Sequence, residues 1–256
     1  MLWLIGQWRD ALRILTVQVE DPGFLGGVSG LWARTLRAKM LNDLGLVEQA
    51  RAILLEQLPG VLGTHEIQTI APHLGQLARA YAALGDIEGL QSSTQSLMTV
   101  VDENPYLERD SIPALLAACR AWIHFPDSHA LARANNWLPR IERAHQQLRS
   151  PETEASLHEA VGLLAMASGD PERAREPLES AAAAWESMGR PFDAARTLTD
   201  LGLALQGSGQ SAHALQVLDR ALQTLADLGQ RLPDEAMRDA FSASAAVQRA
   251  RQGRGA

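Results

Sequence analysis

GDPERAREPLESA, residues 169–181, and GQSAHALQVLDRA, residues 209–221, decide how this chain is read. Each opens on a glycine followed by alanine five residues on, leucine nine on and alanine twelve on. The same offsets recur in GLVEQARAIL (45–54) and in GQWRDALRIL (6–15). A second block precedes each glycine: Leu201-Gly202 and Leu205 before Gly209, Val161-Gly162 and Ala165 before Gly169, Leu77-Ala78 and Tyr81 before Gly85. Glycines also stand at 169, 189, 209 and 229, twenty residues apart. The heads of the longer pattern fall at 45, 85, 126 (here Pro126), 169 and 209, with spacings of 40, 41, 43 and 40. Internal periods of this size mark repeat architectures and are sought before any local motif.

Steps of three and four residues keep side chains on one helix face, so the offsets −8, −7, −4, +5, +9 and +12 trace two amphipathic helices joined at a tight turn. Small residues at −7 and +5 (Gly162 with Ala174, Gly202 with Ala214) allow the two backbones to approach closely, and leucine at +9 fills the space further along. Ser150-Pro151-Glu152 and Asp170-Pro171-Glu172 each place a capping side chain before a first-turn proline and an acid near the positive end of the helix dipole. Near Pro126 the pattern weakens: Asn135 stands at +9, and Pro139 predicts that the second helix kinks or splits near Leu138. Pro72 implies either a helix start near Thr69 or a bend. After Gly229, residues 231–252 read as one helix from near Pro233, with Met237, Ala240, Phe241 and Ala245 on one face and a frayed GRGA end.

The pattern resembles the tetratricopeptide repeat from Gly6 to about Gly229, although these units run to about 40 residues where that family has 34. The stretch AAAAWESMGRPFDAARTLTDLG (181–202) is also similar to the helical-repeat regions of large ATP-binding bacterial regulators of the LuxR type. The fold expected is all-α: a right-handed tetratricopeptide-like superhelix of about twelve helices in antiparallel hairpins. Residues 1–229 are expected to form the repeat array and 230–256 a capping helix with its tail. Gly6, taken as a turn glycine, leaves only Met1–Ile5 of its first helix. The array therefore begins mid-repeat, with Trp8, Leu12 and Leu15 partnered on one side only, as in a piece of a longer protein or an edge used for self-association.

Composition narrows the function classes. A chain of 256 residues, 46% hydrophobic and 21% charged, folds rather than staying disordered. A net charge of −7 gives no global field for nucleic acid or an anionic membrane. One cysteine, Cys119, makes no internal disulfide and, without a Cys/His cluster, no zinc site; a reducing, cytoplasmic setting fits. Only Lys39 is lysine among 23 basic residues, which with abundant alanine suggests a GC-rich bacterial genome. No stretch approaches the length of a membrane span.

A search for catalytic motifs gives negatives. There is no Walker loop, and Gly26-Gly27 and Gly30 in GFLGGVSG (23–30) join two helices without a preceding strand. His65-Glu66 and His158-Glu159 match the start of a zincin motif, but Thr69 and Gly162 stand where its second histidine belongs. Cys119, Trp122 and Trp185 read as packing residues. An enzyme, a cofactor and a metal are not expected.

What remains is a surface. The tetratricopeptide resemblance implies that the first helix of each unit lines a concave face, with positions −6, −3 and −2 pointing into it. At −6 stand Lys39, Arg79 and Arg120, then Leu163 and Leu203; near the cationic row lie Trp32, Asn42 and His124, with Asp43 partly balancing it. Fixed ammonium and guanidinium donors suit an acidic peptide or a C-terminal carboxylate. Like charges about 10 Å apart in water repel by only about 0.4 kcal/mol, so a merely solvated face tolerates the same row. The expected function is a protein- or peptide-binding scaffold, the sensor or assembly region of a bacterial signalling or transcription-regulating protein. The alternative is a small-molecule sensor using the same groove.

Overall fold

The structure is a computed structural model and describes residues 1–20, 27–104, 106–107 and 109–255. Among the described residues all regular structure is helical, in fourteen α-helices and one short 3-10 turn, and the chain divides into two compact units.

One unit holds residues 10–148. Here α2 (Gly27–Leu44) pairs with α3 (Val47–Leu62), and α4 (Ile67–Leu84) with α5 (Ile87–Glu103). The third pair joins α6 (Ile112–Ile123) to a split second helix, α7 (Ala130–Asn135) and α8 (Leu138–Leu148). That break falls where Pro139 places it, since a proline ring removes an N–H and crowds the preceding turn. The helix holding Pro72 starts at Ile67, two residues before Thr69, and runs through the proline. Gly27 begins α2 and Gly30 is buried within it, while Gly23 and Gly26 lie outside the described residues. The long helix α1 (Trp8–Glu20) starts in the other unit and continues into this one.

The second unit comprises Met1–Arg9 and Arg149–Ala256. It stacks α9 (Pro151–Ala167), α10 (Pro171–Ser187), α11 (Pro191–Gly207) and α12 (Ser211–Gln230) as successive antiparallel neighbours. A Ser150–Thr153 capping box and the Asp170 carboxylate, which accepts from the Arg173 amide at 3.0 Å, start α9 and α10 as the sequence implies.

The ruler of glycines has a single physical cause. Gly6, Gly45, Gly85, Gly169, Gly189 and Gly209 all have φ between 65° and 84°. At each, the glycine N–H bonds the carbonyl three residues back and the next N–H bonds the carbonyl five residues behind it, at 2.8–3.3 Å. This is the Schellman helix end, which uses a left-handed residue to satisfy orphan carbonyls. Gly229 breaks the series: it lies inside α12, where a Cβ would come within 3.3 Å of Phe241. It is a site of close approach rather than a turn.

Packing between paired helices follows the offsets. Ala50, Leu54, Leu90, Ala174, Leu178, Ala214 and Leu218 are all fully buried. Gly162 and Gly202 are filled by the leucines at +9: a Cβ on either would lie 2.5 Å from Cγ of Leu178 or Leu218. The small residue thus receives the leucine directly, not only the opposing alanine.

Two expectations about the ends change. Residues 230–256 form two helices, α13 (Glu235–Ala243) and α14 (Ala245–Gly255), with the break at Ser244, whose backbone is extended. The last turn is held rather than frayed. Gln206 Nε2 donates to the Gly253 carbonyl at 2.6 Å, Arg249 reaches the Asp200 carboxylate at 3.1 Å, and Gly253 lies against Leu203 and Leu218. At the other end, Trp8 is fully buried and Leu15 is 5% exposed, while Leu12 is half-buried, so two of the three residues expected to have neighbours on one side only are covered. Gly6 is indeed a turn glycine. Trp3 and Trp8 stack with ring centroids 4.3 Å apart and planes at 6°, and Trp8 meets Phe192 and Phe241 edge-on at 5.7 and 5.0 Å.

Candidate functional site

The candidate face is built on α2, α4 and α6, which pack side by side within the unit of residues 10–148. Lys39, Asn42 and Asp43 lie within one turn near the end of α2, and Gln76 and Arg79 lie on α4. Lys39 Nζ donates to Asp43 Oδ2 at 2.6 Å, and Arg79 Nη2 donates to Asp43 Oδ1 at 2.7 Å. Arg79 Nη1 also donates to Gln76 Oε1 at 3.1 Å. Asn42 Nδ2 donates to the carbonyl and side-chain oxygens of Gln76 at 3.1 and 3.2 Å.

The structure therefore brings Lys39, Asn42 and Arg79 into one hydrogen-bonded chain whose hub is Asp43. The Asp43 side chain is 1% exposed, while those of Lys39 and Arg79 are 19% and 20% exposed. Two cations on one buried carboxylate leave a single net positive charge at this point, smaller than a bare row of cations would carry. Asn42 Oδ1, by contrast, is buried without a hydrogen-bond partner, which leaves an acceptor beside the cations.

The remaining three residues sit elsewhere on the same helices. Trp32 is half-buried on α2, two turns before Lys39. Arg120 is buried in α6, and His124 is exposed at that helix's C-cap. Of the expected apolar continuation at −6, Leu163 is 1% exposed and therefore not open to a partner, while Leu203 is half-buried and lies against Gly253 of α14.

Buried polar groups that the sequence reading passed over tie the helices together. His73 on α4 is fully buried; Thr35 on α2 contacts its Nδ1 at 3.0 Å, and its Nε2 lies 2.9 Å from the Leu54 carbonyl of α3. Burial lowers its pKa to about 4, against a smaller opposing effect of the Leu54 bond. It is neutral at pH 7, so Nε2 donates to Leu54 and Nδ1 accepts from Thr35.

In the other unit Glu159 is fully buried, and its Oε2 accepts from Trp185 Nε1 at 2.6 Å and Thr197 Oγ1 at 2.9 Å. Arg190 bonds Glu152 and Asp193 and lies 4.6 Å from the centre of the Trp185 ring. Burial alone would lower the Arg190 pKa, but the Asp193 and Glu152 carboxylates overcome it and raise it. The repeat offsets single out none of these groups: His73 and Glu159 stand twelve and ten residues before Gly85 and Gly169, and Arg190 directly follows Gly189. Trp122, Trp185 and Cys119 are buried as expected. Among the described residues no cluster of metal-ligating side chains occurs, and no helix is long and apolar enough to cross a membrane.

Helical hairpins that repeat about every 40 residues, closed by left-handed glycines and packed through alanine and leucine at fixed offsets, define a tetratricopeptide-like helical repeat protein. Solved structures agree. The chain is similar to BtubC (BKLC) from P. vanneervenii, with a TM-score of 0.56 and 18% identity over 91% of this chain and 93% of that one. It is also similar to the nearly identical TPR-like repeats of a kinesin light chain-type protein from P. anserina, with a TM-score of 0.51 and 19% identity over 79% of this chain and 98% of that one. No family model matches the sequence, and no curated protein is similar to it. These likenesses establish the fold.

Proposed function

We propose that the chain is a peptide-binding scaffold and that the partner lies along α2, α4 and α6, across Lys39, Asn42 and Arg79. Two features support this. Repeat proteins of this architecture offer extended surfaces rather than pockets. Lys39 and Arg79 are held in place by Asp43 yet keep part of their side chains at the surface, so little ordering entropy remains to be lost on binding. The observation that carries the reading is the pair of partly exposed cations, Lys39 and Arg79, fixed on one buried carboxylate, which together offer donors for a peptide carboxylate.

The partner is an acidic peptide segment, with Trp32 and His124 as flanking contacts; Arg120, being buried, adds its charge from within α6. The biological setting is the sensor or assembly region of a cytoplasmic bacterial signalling or transcription-regulating protein of the LuxR type. The role is non-catalytic and needs no cofactor. Self-association through residues 1–9 is compatible with it. Neither nucleic acid nor a membrane is the partner.

The test is an acidic peptide array probed with the wild-type chain and with the full-length Lys39→Gln, Arg79→Gln double variant. Retention should fall as salt rises and should drop at least tenfold in the variant, with little change in helicity. Equal retention by the two proteins rules the face out. Stabilisation by metabolites without any peptide retention would replace this reading with the small-molecule sensor.

A further inference from the structure

Counted from the turn glycine of its own hairpin, Thr35 stands at −10 and His73 at −12, and Glu159 and Thr197 occupy the same two positions in the other compact unit. In both units the residue at −10 of one first helix meets the residue at −12 of the next. Thr35 Oγ1 donates to His73 Nδ1 at 3.0 Å, and Glu159 Oε2 accepts from Thr197 Oγ1 at 2.9 Å. Each pair spans 38 residues, and all four residues are buried, at 6% exposure or less. Each pair also reaches the second helix that lies between its two first helices in sequence, through the Leu54 carbonyl of α3 and through Trp185 Nε1 of α10. Two three-helix polar knots are thus built on one plan from different residues.

The junction of α4 with α6 shows what this position is. There −10 is Gly75 and −12, counted from Pro126, is Ala114. A Cβ on Gly75 would lie 2.7 Å from the Ala114 Cβ, so the helices touch where the other two junctions hold a polar pair. Position −10 against −12 is a point of close approach between successive first helices. It is filled by hydroxyl with imidazole, by glycine with alanine, and by carboxylate with hydroxyl.

These fillings are matched. A first helix that slipped along its neighbour would bury His73 or Glu159 without its partner, which costs more than the bond itself contributes. Arrays of similar hairpins are open to such misassembly, and fixing register is the best-attested use of a buried polar contact. We infer that the −10/−12 contact is the register lock of the array, admitting one stacking of each first helix on the next. The register it selects between α2 and α4 also carries Arg79 to Asp43, so the candidate face is held in shape from outside itself. The lock is independent of what that face binds.

Spin labels on Arg37→Cys of α2 and Ala83→Cys of α4, both exposed positions, read the register as a distance in the full chain, with the native thiol removed by Cys119→Ala. The labelled parent should give one narrow distance distribution. Adding Thr35→Val and His73→Leu, which removes both polar groups and keeps the site filled, should leave the helicity unchanged yet broaden or split that distribution; Thr35→Val alone serves if the double variant does not fold. Thr35→Ser, which keeps the hydroxyl, should preserve the single narrow distance. A distribution as narrow in the Thr35→Val, His73→Leu chain as in the parent overturns the lock, as does equal broadening by Thr35→Ser.

Discussion

At the scale of single residues, Asp43 sets the character of the candidate face. Replacing it with asparagine removes the shared anion and leaves Lys39 and Arg79 to repel one another. Two effects of opposite sign follow. The chain should lose about 1–3 kcal/mol of stability, because a buried hub is broken although both cations can turn toward water. Its affinity for an acidic peptide at low salt should rise, because the face gains positive charge. A thermal melt and a fluorescence titration of one Asp43→Asn sample check both.

His73 gives a pH dependence of definite sign. Its folded pKa, lowered to about 4, lies below the unfolded value near 6.5, so the unfolded chain binds the extra proton first as pH falls. The neutral imidazole's contribution is complete above about pH 6.5 and is lost progressively toward pH 4, by up to about 3 kcal/mol. Urea unfolding of wild type and His73→Gln between pH 7 and 4 should show a shallower slope in the variant. The sequence displayed His73 as one histidine among seven; only the packing of α2 and α3 around it fixes its protonation.

At the scale of elements, the hairpin is the unit of meaning, and its close approach can be tested at Gly202. Alanine is the better helix former by about 1 kcal/mol, so propensity alone predicts stabilisation. A Cβ 2.5 Å from Leu218 Cγ predicts the reverse, with overpacking that costs about 1–3 kcal/mol. Gly202→Ala should therefore lower the melting temperature.

The hairpins were legible because their determinants are local and periodic: a left-handed glycine, small residues on the two helices either side of it, a cap before a proline. What was not legible depended on partners distant in sequence. Gly229 carries the same letter at the same spacing as Gly209, yet α12 runs through it because Phe241 needs the room. The break at Ser244 and the ordered end of α14 likewise depend on Asp200, Leu203 and Gln206, some 47–49 residues away for the two hydrogen bonds. Hydrogen exchange should find the amides near Gly253 protected, and Gln206→Ala should weaken that protection selectively.

At the scale of the molecule, periodicity implied one uninterrupted array, whereas contacts define two units, with Met1–Arg9 assigned to the one that ends the chain. A repeat pattern reports on neighbours one unit apart and is silent about a nine-residue segment that docks more than 180 residues away; Arg231 and Gly6 are 225 apart. The cationic row was visible in the sequence as positions −6 of three units. Asp43 was visible too, as a partial counter-charge; that it is buried and bonded by both Lys39 and Arg79, and that Leu163 is buried, was not, because the offsets mark a helix face without saying what packs on it.

Amide hydrogen exchange of the wild-type chain, free and saturated with an acidic peptide selected on the array, tests the central claim most directly. Binding should slow exchange in α2, α4 and α6, most strongly around Lys39, Asn42 and Arg79, and leave α3 and α5 unchanged. Protection confined to the second helices, or to residues 149–255, would contradict it.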